Sequence, residues 1–260
     1  MYNVSCTMYK LFYRIYQVFI GYPVVILATL ATTIAIGLGC TLGNAHFWSY
    51  WPGHWWGRVI IKTMLLPVKV EGREHLEKDQ SYVFVANHQG AFDIFLVYGY
   101  LGRNIKWMMK HQLLTIPVFG YACRKSHQII VDKRGPKKIK ASYDAARQTL
   151  QGGTSLAVFP EGARTFTGHM GLFKKGAFAL ADELQLPVVP LTINGSFDVM
   201  PRMRDGRFVN WHPLKLTIHQ PVYPIGQGPE NVEATMRQSY DSVMSSLVPE
   251  YQGYIENPDQ

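Results

Sequence analysis

Between Ile15 and Gly57 the chain carries no Asp, Glu, Lys or Arg, where a stretch of that length at average composition holds about ten. Such a run prefers lipid to water. Its centre, Val18 to Gly43, reaches about 39 Å as a helix at 1.5 Å per residue, against a hydrocarbon thickness of about 30 Å. Trp48, Trp51, Trp55 and Trp56 follow at once, and indole rings favour the headgroup level, where one edge stays wet. Lys10 and Arg14 precede the run, and Arg58 and Lys62 follow it. The positive-inside tendency draws both flanks toward the cytoplasm, which a tilted or re-entrant helical hairpin satisfies better than a single crossing. Gly21, Pro23, Gly37, Gly39 and Gly43 disfavour a soluble core helix but are common in membrane helices. The length of the run and the sequence Gly37-Leu38-Gly39-Cys40 argue against a cleaved signal.

All but two of the 26 basic residues and all 18 acidic ones lie in residues 58–260. This shift divides the chain into a membrane-anchoring helix or hairpin with an aromatic belt, 1–57, and a charged unit, 58–260. The net charge of +8 suits an anionic partner without choosing among membrane, phosphorylated substrate and nucleic acid. Nucleic acid is disfavoured, since no fold signature for it accompanies the charge. Cys6, Cys40 and Cys123 are odd in number and form no C-x-x-C, which excludes a disulfide framework and a thiolate-only zinc site.

After Arg58 the chain alternates. Apolar, β-branched runs at Tyr82–Ala86, Ile105–Met109, Gln128–Val131, Ser155–Phe159, Val188–Ile193 and Leu214–Ile218 predict strands. Phe92–Leu101, Pro136–Leu150, Lys174–Leu184 and Asn231–Leu247 predict helices between them. The expected fold is therefore α/β, with ligands gathering where strands end and loops open. A G-x-S-x-G elbow, a G-x-x-x-x-G-K-[ST] loop and H-E-x-x-H are all missing, so serine-elbow hydrolysis, P-loop chemistry and zinc proteolysis lose their main support.

Two segments carry chemistry. In Asn87-His88-Gln89-Gly90-Ala91-Phe92-Asp93, residues five apart cannot meet on one continuous helix, but across a strand-to-helix turn they can. A carboxylate on one imidazole nitrogen fixes the tautomer and leaves the other nitrogen free to accept a hydroxyl proton. Asp93 can equally be a helix cap. In Phe159-Pro160-Glu161-Gly162-Ala163-Arg164-Thr165, Gly162 permits close backbone approach and Arg164 offers a planar fork for phosphate oxygens. Glu161 can hold that guanidinium or accept a substrate hydroxyl, and a surface turn with a local ion pair also explains the segment.

Together these segments resemble the NHx4D and FPEGTR motifs of PlsC-type glycerolipid acyltransferases, the lysophosphatidic acid acyltransferases. The likeness covers roughly residues 58–220. Lys110 to Gly120 is similar to the family's K-x-x-L-x-x-I-P-x-x-G stretch, Ile130-Val131-Asp132-Lys133 to its strand ending in Asp-Arg, and Leu186 to Pro190 to its last motif. Ala163 replaces the usual Thr, and Lys133 stands where Arg is usual, with Arg134 next to it.

The resemblance implies a mixed sheet flanked by helices and preceded by the membrane-embedded segment. The implied reaction moves a fatty acyl group from a thioester, on coenzyme A or acyl carrier protein, to the free hydroxyl of 1-acylglycerol-3-phosphate, giving phosphatidic acid. Other acceptors are another lysophospholipid or a lyso-aminolipid, and a silent membrane-bound binding module is the non-enzymatic alternative. In this reading His88 is the base, Asp93 orients it, and Lys110 or N–H groups near Gly162 stabilise the oxyanion. Asn87, Glu161, Gly162, Arg164, Lys133 and Arg134 are the substrate-binding candidates. Neither metal nor bound cofactor is expected, and Cys123 is expected to pack rather than carry the acyl group. Localisation follows as membrane-associated, with the catalytic unit facing the cytoplasm; in a bacterial source that membrane is the inner membrane. The basic run Arg124, Lys125, Lys133, Arg134, Lys137, Lys138 and Lys140 can face lipid headgroups, donor phosphates or an acidic carrier, or be a solvated face. The same ambiguity attaches to Arg202, Arg204 and Arg207.

Overall fold

The protein is described as a computed structural model covering residues 2–110, 114–115, 119–131, 135–202 and 208–255. It opens with helix α1 (Tyr2–Tyr16), which continues through a π-helical turn, Gln17–Gly21, into α2 (Tyr22–Leu42). The wider turn lies just before Pro23, whose ring has no N–H and crowds the carbonyl four residues back. Short helix α3 (Ala45–Trp48) reverses the chain and α4 (Trp51–Thr63) folds back along α2, where Trp56 Nε1 donates to Thr29 Oγ1 at 2.9 Å. The apolar segment is thus one arm of a helical hairpin. Met8–Leu42 has a mean hydropathy of 2.1 in its most apolar window, only 6% of it buried, and Phe19, Ile26, Leu27, Leu30, Ile34 and Leu38 are exposed.

This long helix does not stand away from the rest. Tyr13 donates to the Met64 carbonyl at 2.6 Å and Tyr16 to that of Thr63 at 2.8 Å. Buried Gln17 exchanges two hydrogen bonds with the Val209 backbone, at 2.7 and 2.8 Å. At the far end Tyr121 packs at Gly37 and meets Thr41 Oγ1 at 3.3 Å. Helix α4 runs unbroken across residue 58 and lies against α5 (Phe92–Tyr100). The two backbones touch through glycines: a Cβ on Gly57 would lie 2.5 Å from the Phe95 carbonyl oxygen.

The sheet has seven strands, β1 (Val68–Glu71), β2 (Val83–Ala86), β3 (Ile105–Lys110), β4 (Ile129–Val131), β5 (Ser155–Val158), β6 (Val188–Asn194) and β7 (Leu214–Ile218). Their spatial order is β1-β7-β6-β2-β5-β3-β4, parallel throughout except where β6 meets β7. Central β2 is buried on both faces, and its period-2 alternation feeds two cores. Phe84 and Ala86 join Leu96 and Val97 of α5, while Val83 and Val85 join Phe178 and Leu180 of α8 (Gly176–Leu184). Helices α6 (Phe119–Lys125), α7 (Pro136–Thr149), α9 (Ser196–Val199) and α10 (Pro229–Ser245) complete the fold. The sequence expectation is met for six strands and four helices to within a few residues. Strand β1 and helix α6 were not expected, Phe159 falls just beyond β5, and α8 starts at Gly176 rather than Lys174.

Candidate active site

Strands β2 and β5 are parallel neighbours, so the loops leaving their carboxyl ends are adjacent, and both chemical segments lie on those loops. His88 Nδ1 is 2.7 Å from Asp93 Oδ2. The same oxygen accepts the backbone N–H groups of Gln89 and Gly90, at 2.8 and 2.9 Å. Asp93 is not the helix cap that the sequence allowed, since Ala91 holds that position without a side-chain bond; its carboxylate instead ties the turn before α5 and holds the imidazole. Asp93 is fully buried, and the His88 side chain is 14% exposed. With Nδ1 engaged, Nε2 is the nitrogen left to meet a substrate.

The second loop braces the first. The Phe159 ring stacks on the His88 imidazole with centroids 3.8 Å apart and planes 8° from parallel, and Trp107 of β3 stacks behind Phe159 at 5.1 Å. The Thr165 N–H donates to the His88 carbonyl at 2.9 Å. Gln89 Nε2 donates to the Gly168 carbonyl at 2.7 Å. Trp107 had no role in the sequence reading; its only signal there was a lone indole on a predicted strand.

Two further expectations are corrected. Glu161 neither pairs with Arg164 nor faces a substrate: it is 1% exposed, and its carboxyl oxygens accept the His88 N–H at 2.6 Å and the Gly171 N–H at 2.7 Å. It ties the loops together from beneath. Burial pushes this carboxyl up to about 8, against the opposite pull of the two N–H donors. Asn87 is likewise closed to substrate. Its amide donates to the Ile193 carbonyl and accepts the Ile193 N–H, both at 2.8 Å, which fastens the end of β2 to β6. In each case a side chain that looks available in sequence is consumed by backbone groups that the turn leaves unpaired.

Gly162 lies at φ +81°, and a Cβ there would meet Lys174 Nζ at 2.8 Å. Its own N–H closes a turn on the Phe159 carbonyl at 3.0 Å. Among the described residues, the next two N–H groups, of Ala163 and Arg164, bond to nothing in the protein. Arg164 is half-buried and makes no ion pair among the described residues. Cys123 is buried, and burial pushes its thiol up to about 11, far from thiolate reactivity. The Lys110 side chain, Lys133 and Arg134 lie outside the described residues, as do Arg204 and Arg207.

The sequence model of the Acyltransferase family matches residues 67–194, which span both loops. The chain is 33% identical to a chloroplast 1-acyl-sn-glycerol-3-phosphate acyltransferase of Brassica napus over 59% of its own length. It spans 44% of that relative and of its Arabidopsis thaliana counterpart. It is 30% identical to the sheep 1-acyl-sn-glycerol-3-phosphate acyltransferase alpha, over 76% of this chain and 74% of that one. In fold it is similar to the crystal structure of the 1-acyl-sn-glycerophosphate acyltransferase PlsC of Thermotoga maritima, with a TM-score of 0.71, 24% identity, and coverage of 91% and 94% of the two chains.

Proposed function

The chain belongs to the family of 1-acyl-sn-glycerol-3-phosphate acyltransferases, and from that premise we propose that it moves a fatty acyl group from a thioester to the free hydroxyl of 1-acylglycerol-3-phosphate, giving phosphatidic acid. The observation that carries this reading is the His88–Asp93 pair, held at 2.7 Å with one imidazole nitrogen left over. An alcohol is a poor nucleophile until its proton is removed, whereas a thiol, with a pKa of about 8.5, is a ready leaving group; a positioned base is thus the chief requirement.

In the proposed sequence His88 Nε2 takes the hydroxyl proton as the oxygen attacks the thioester carbon. Asp93 stabilises the imidazolium that forms. The oxyanion is met by the free N–H groups of Ala163 and Arg164, or by Lys110. Collapse breaks the carbon–sulfur bond, and the imidazolium returns its proton to the departing thiolate. No serine or cysteine hydroxyl or thiol bonds to His88 among the described residues, which supports direct transfer between two bound substrates. The guanidinium of Arg164, without an acidic partner among the described residues, supports an acceptor that brings its own negative charge.

The same reading seats the protein on a membrane by its helical hairpin. Because the globular part holds α1–α2 at Tyr13, Gln17 and Thr41, a perpendicular crossing would drag that part through hydrocarbon. A re-entrant or in-plane seat, with the active-site loops toward the cytoplasm, avoids this. Thiol release by the detergent-purified protein, given lysophosphatidic acid and either acyl-coenzyme A or acyl carrier protein, tests the activity and identifies the donor. Absence of release with both donors would contradict the reading.

A further inference from the structure

The connection between α9 and β7 brings a second arginine to this site. Pro201 pairs with Gly90 in an isolated antiparallel bridge, which fixes the next residue, Arg202, beside the turn that carries His88. From there Arg202 Nη1 donates to the Arg164 carbonyl at 3.1 Å, and its guanidinium lies over the Phe166 ring, 4.3 Å from the centroid. One site loop thus sets the position of Arg202 and the other sets the plane of its guanidinium.

That arrangement is unusual for a merely structural arginine. Arg202 is half-buried, yet neither it nor Arg164 forms an ion pair among the described residues. A guanidinium in a partly desolvated setting without an acidic partner is unfavourable until an anion meets it. A guanidinium has five N–H donors, and the Arg164 carbonyl uses one. Stacking on Phe166 leaves the rest of the fork oriented in advance, so less side-chain entropy is lost when it binds.

We propose that Arg202 is the second arm of a phosphate clamp: with Arg164 it binds the phosphate monoester of the acceptor and so aims the free hydroxyl at His88 Nε2. This rests on the acceptor proposed above and adds the residue that selects its phosphate. A phosphate monoester is also present on coenzyme A, so the test separates the two sources.

The full-length protein in detergent is assayed as wild type, Arg202→Ala and Arg202→Lys. Acceptors are lysophosphatidic acid and a monoacylglycerol; donors are acyl-coenzyme A and an acyl-pantetheine, which lacks phosphate. Loss of a charged bidentate contact raises the KM for lysophosphatidic acid in Arg202→Ala about ten- to a hundred-fold with either donor. The loss on monoacylglycerol is at least about ten-fold smaller, because an acceptor without a phosphate has no such contact to lose. Arg202→Lys keeps the charge but not the fork and falls between, and it carries the test if the alanine variant fails to fold.

A loss that follows the donor, present with acyl-coenzyme A and absent with acyl-pantetheine, would overturn the proposal. So would an equal loss on both acceptors, which is what a loop brace alone produces, or unchanged kinetics. If the wild type acylates neither acceptor, the preceding reading fails on its own. Calorimetric titration with glycerol 3-phosphate, without any donor, then decides the clamp. Binding by the wild type that weakens about ten-fold or more in Arg202→Ala upholds it, and equal or absent binding overturns it.

Discussion

The imidazole of His88 lies flat on the ring of Phe159, 3.8 Å between centroids and 8° from parallel, so the proposed base is held on its edge by Asp93 and on its face by an aromatic ring. The carboxylate sets which nitrogen is free, and the stack sets where that nitrogen points. An aromatic face also attracts a cation more than a neutral ring. The contact therefore strengthens as His88 takes up its proton, which is the kind of interaction that lowers a barrier rather than merely binding a substrate.

Phe159→Leu should accordingly lower kcat by about five- to thirty-fold, the equivalent of a cation–π contact of about 1–2 kcal/mol, while the acceptor KM stays near that of the wild type. Steady-state kinetics in detergent read both quantities. A rise in KM with normal kcat would mean that Phe159 serves binding instead.

Glu161 gives a pH dependence with a definite sign. Burial raises its folded value from the ordinary 4.5 to about 8. Its contribution to stability is thus fully present below about 4.5 and is lost as the pH rises through about 8, at no more than about 1.4 kcal/mol per pH unit. Glu161→Gln cannot titrate. The Tm of the wild type minus that of the variant should therefore fall between pH 5 and 8, when both are measured by thermal unfolding. The amide can accept only one of the two N–H groups that Glu161 serves, so the variant should also lose activity.

Direct transfer predicts that no acyl-enzyme forms. Incubation with an acyl thioester alone should leave the intact mass unchanged, and Cys123→Ser, which replaces a buried thiol pushed up to about 11, should keep most of its turnover. A mass increase equal to one acyl group would contradict the scheme.

Attachment through the exposed face of α2 predicts retention on membranes in high salt, since apolar burial is not screened. Replacing Leu27, Leu30 and Ile34, all exposed, with lysine should shift the protein to the supernatant after sedimentation. Release of the wild type by salt alone would place its attachment in the basic residues.

How far the sequence reaches depends on whether a signal is local. Six strands are legible because both faces of the sheet are buried, so their runs are apolar and β-branched. Strand β1, Val68–Glu71, is only four residues long and alternates with charges at the sheet edge, where Glu71 meets Lys69 and Lys215, so it offers no apolar run to find. The pairing of His88 with Asp93 is legible because a strand-to-helix turn is the one local geometry that permits it. The duties of Asn87 and Glu161 are not, since their partners, Ile193 and His88, are set by which strands become neighbours. Arg202 stands out in the sequence only as part of a basic cluster, and its place at the site is hidden for the same reason: the Pro201–Gly90 bridge brings it there.

The central claim is that His88 Nε2 removes the acceptor's proton, and turnover of His88→Ala measures it most directly. With lysophosphatidic acid and an acyl thioester, thiol release by the purified variant should fall about two to four orders of magnitude below wild type, with an unchanged Tm to certify the fold. Near-normal release from a folded His88→Ala protein would contradict the account.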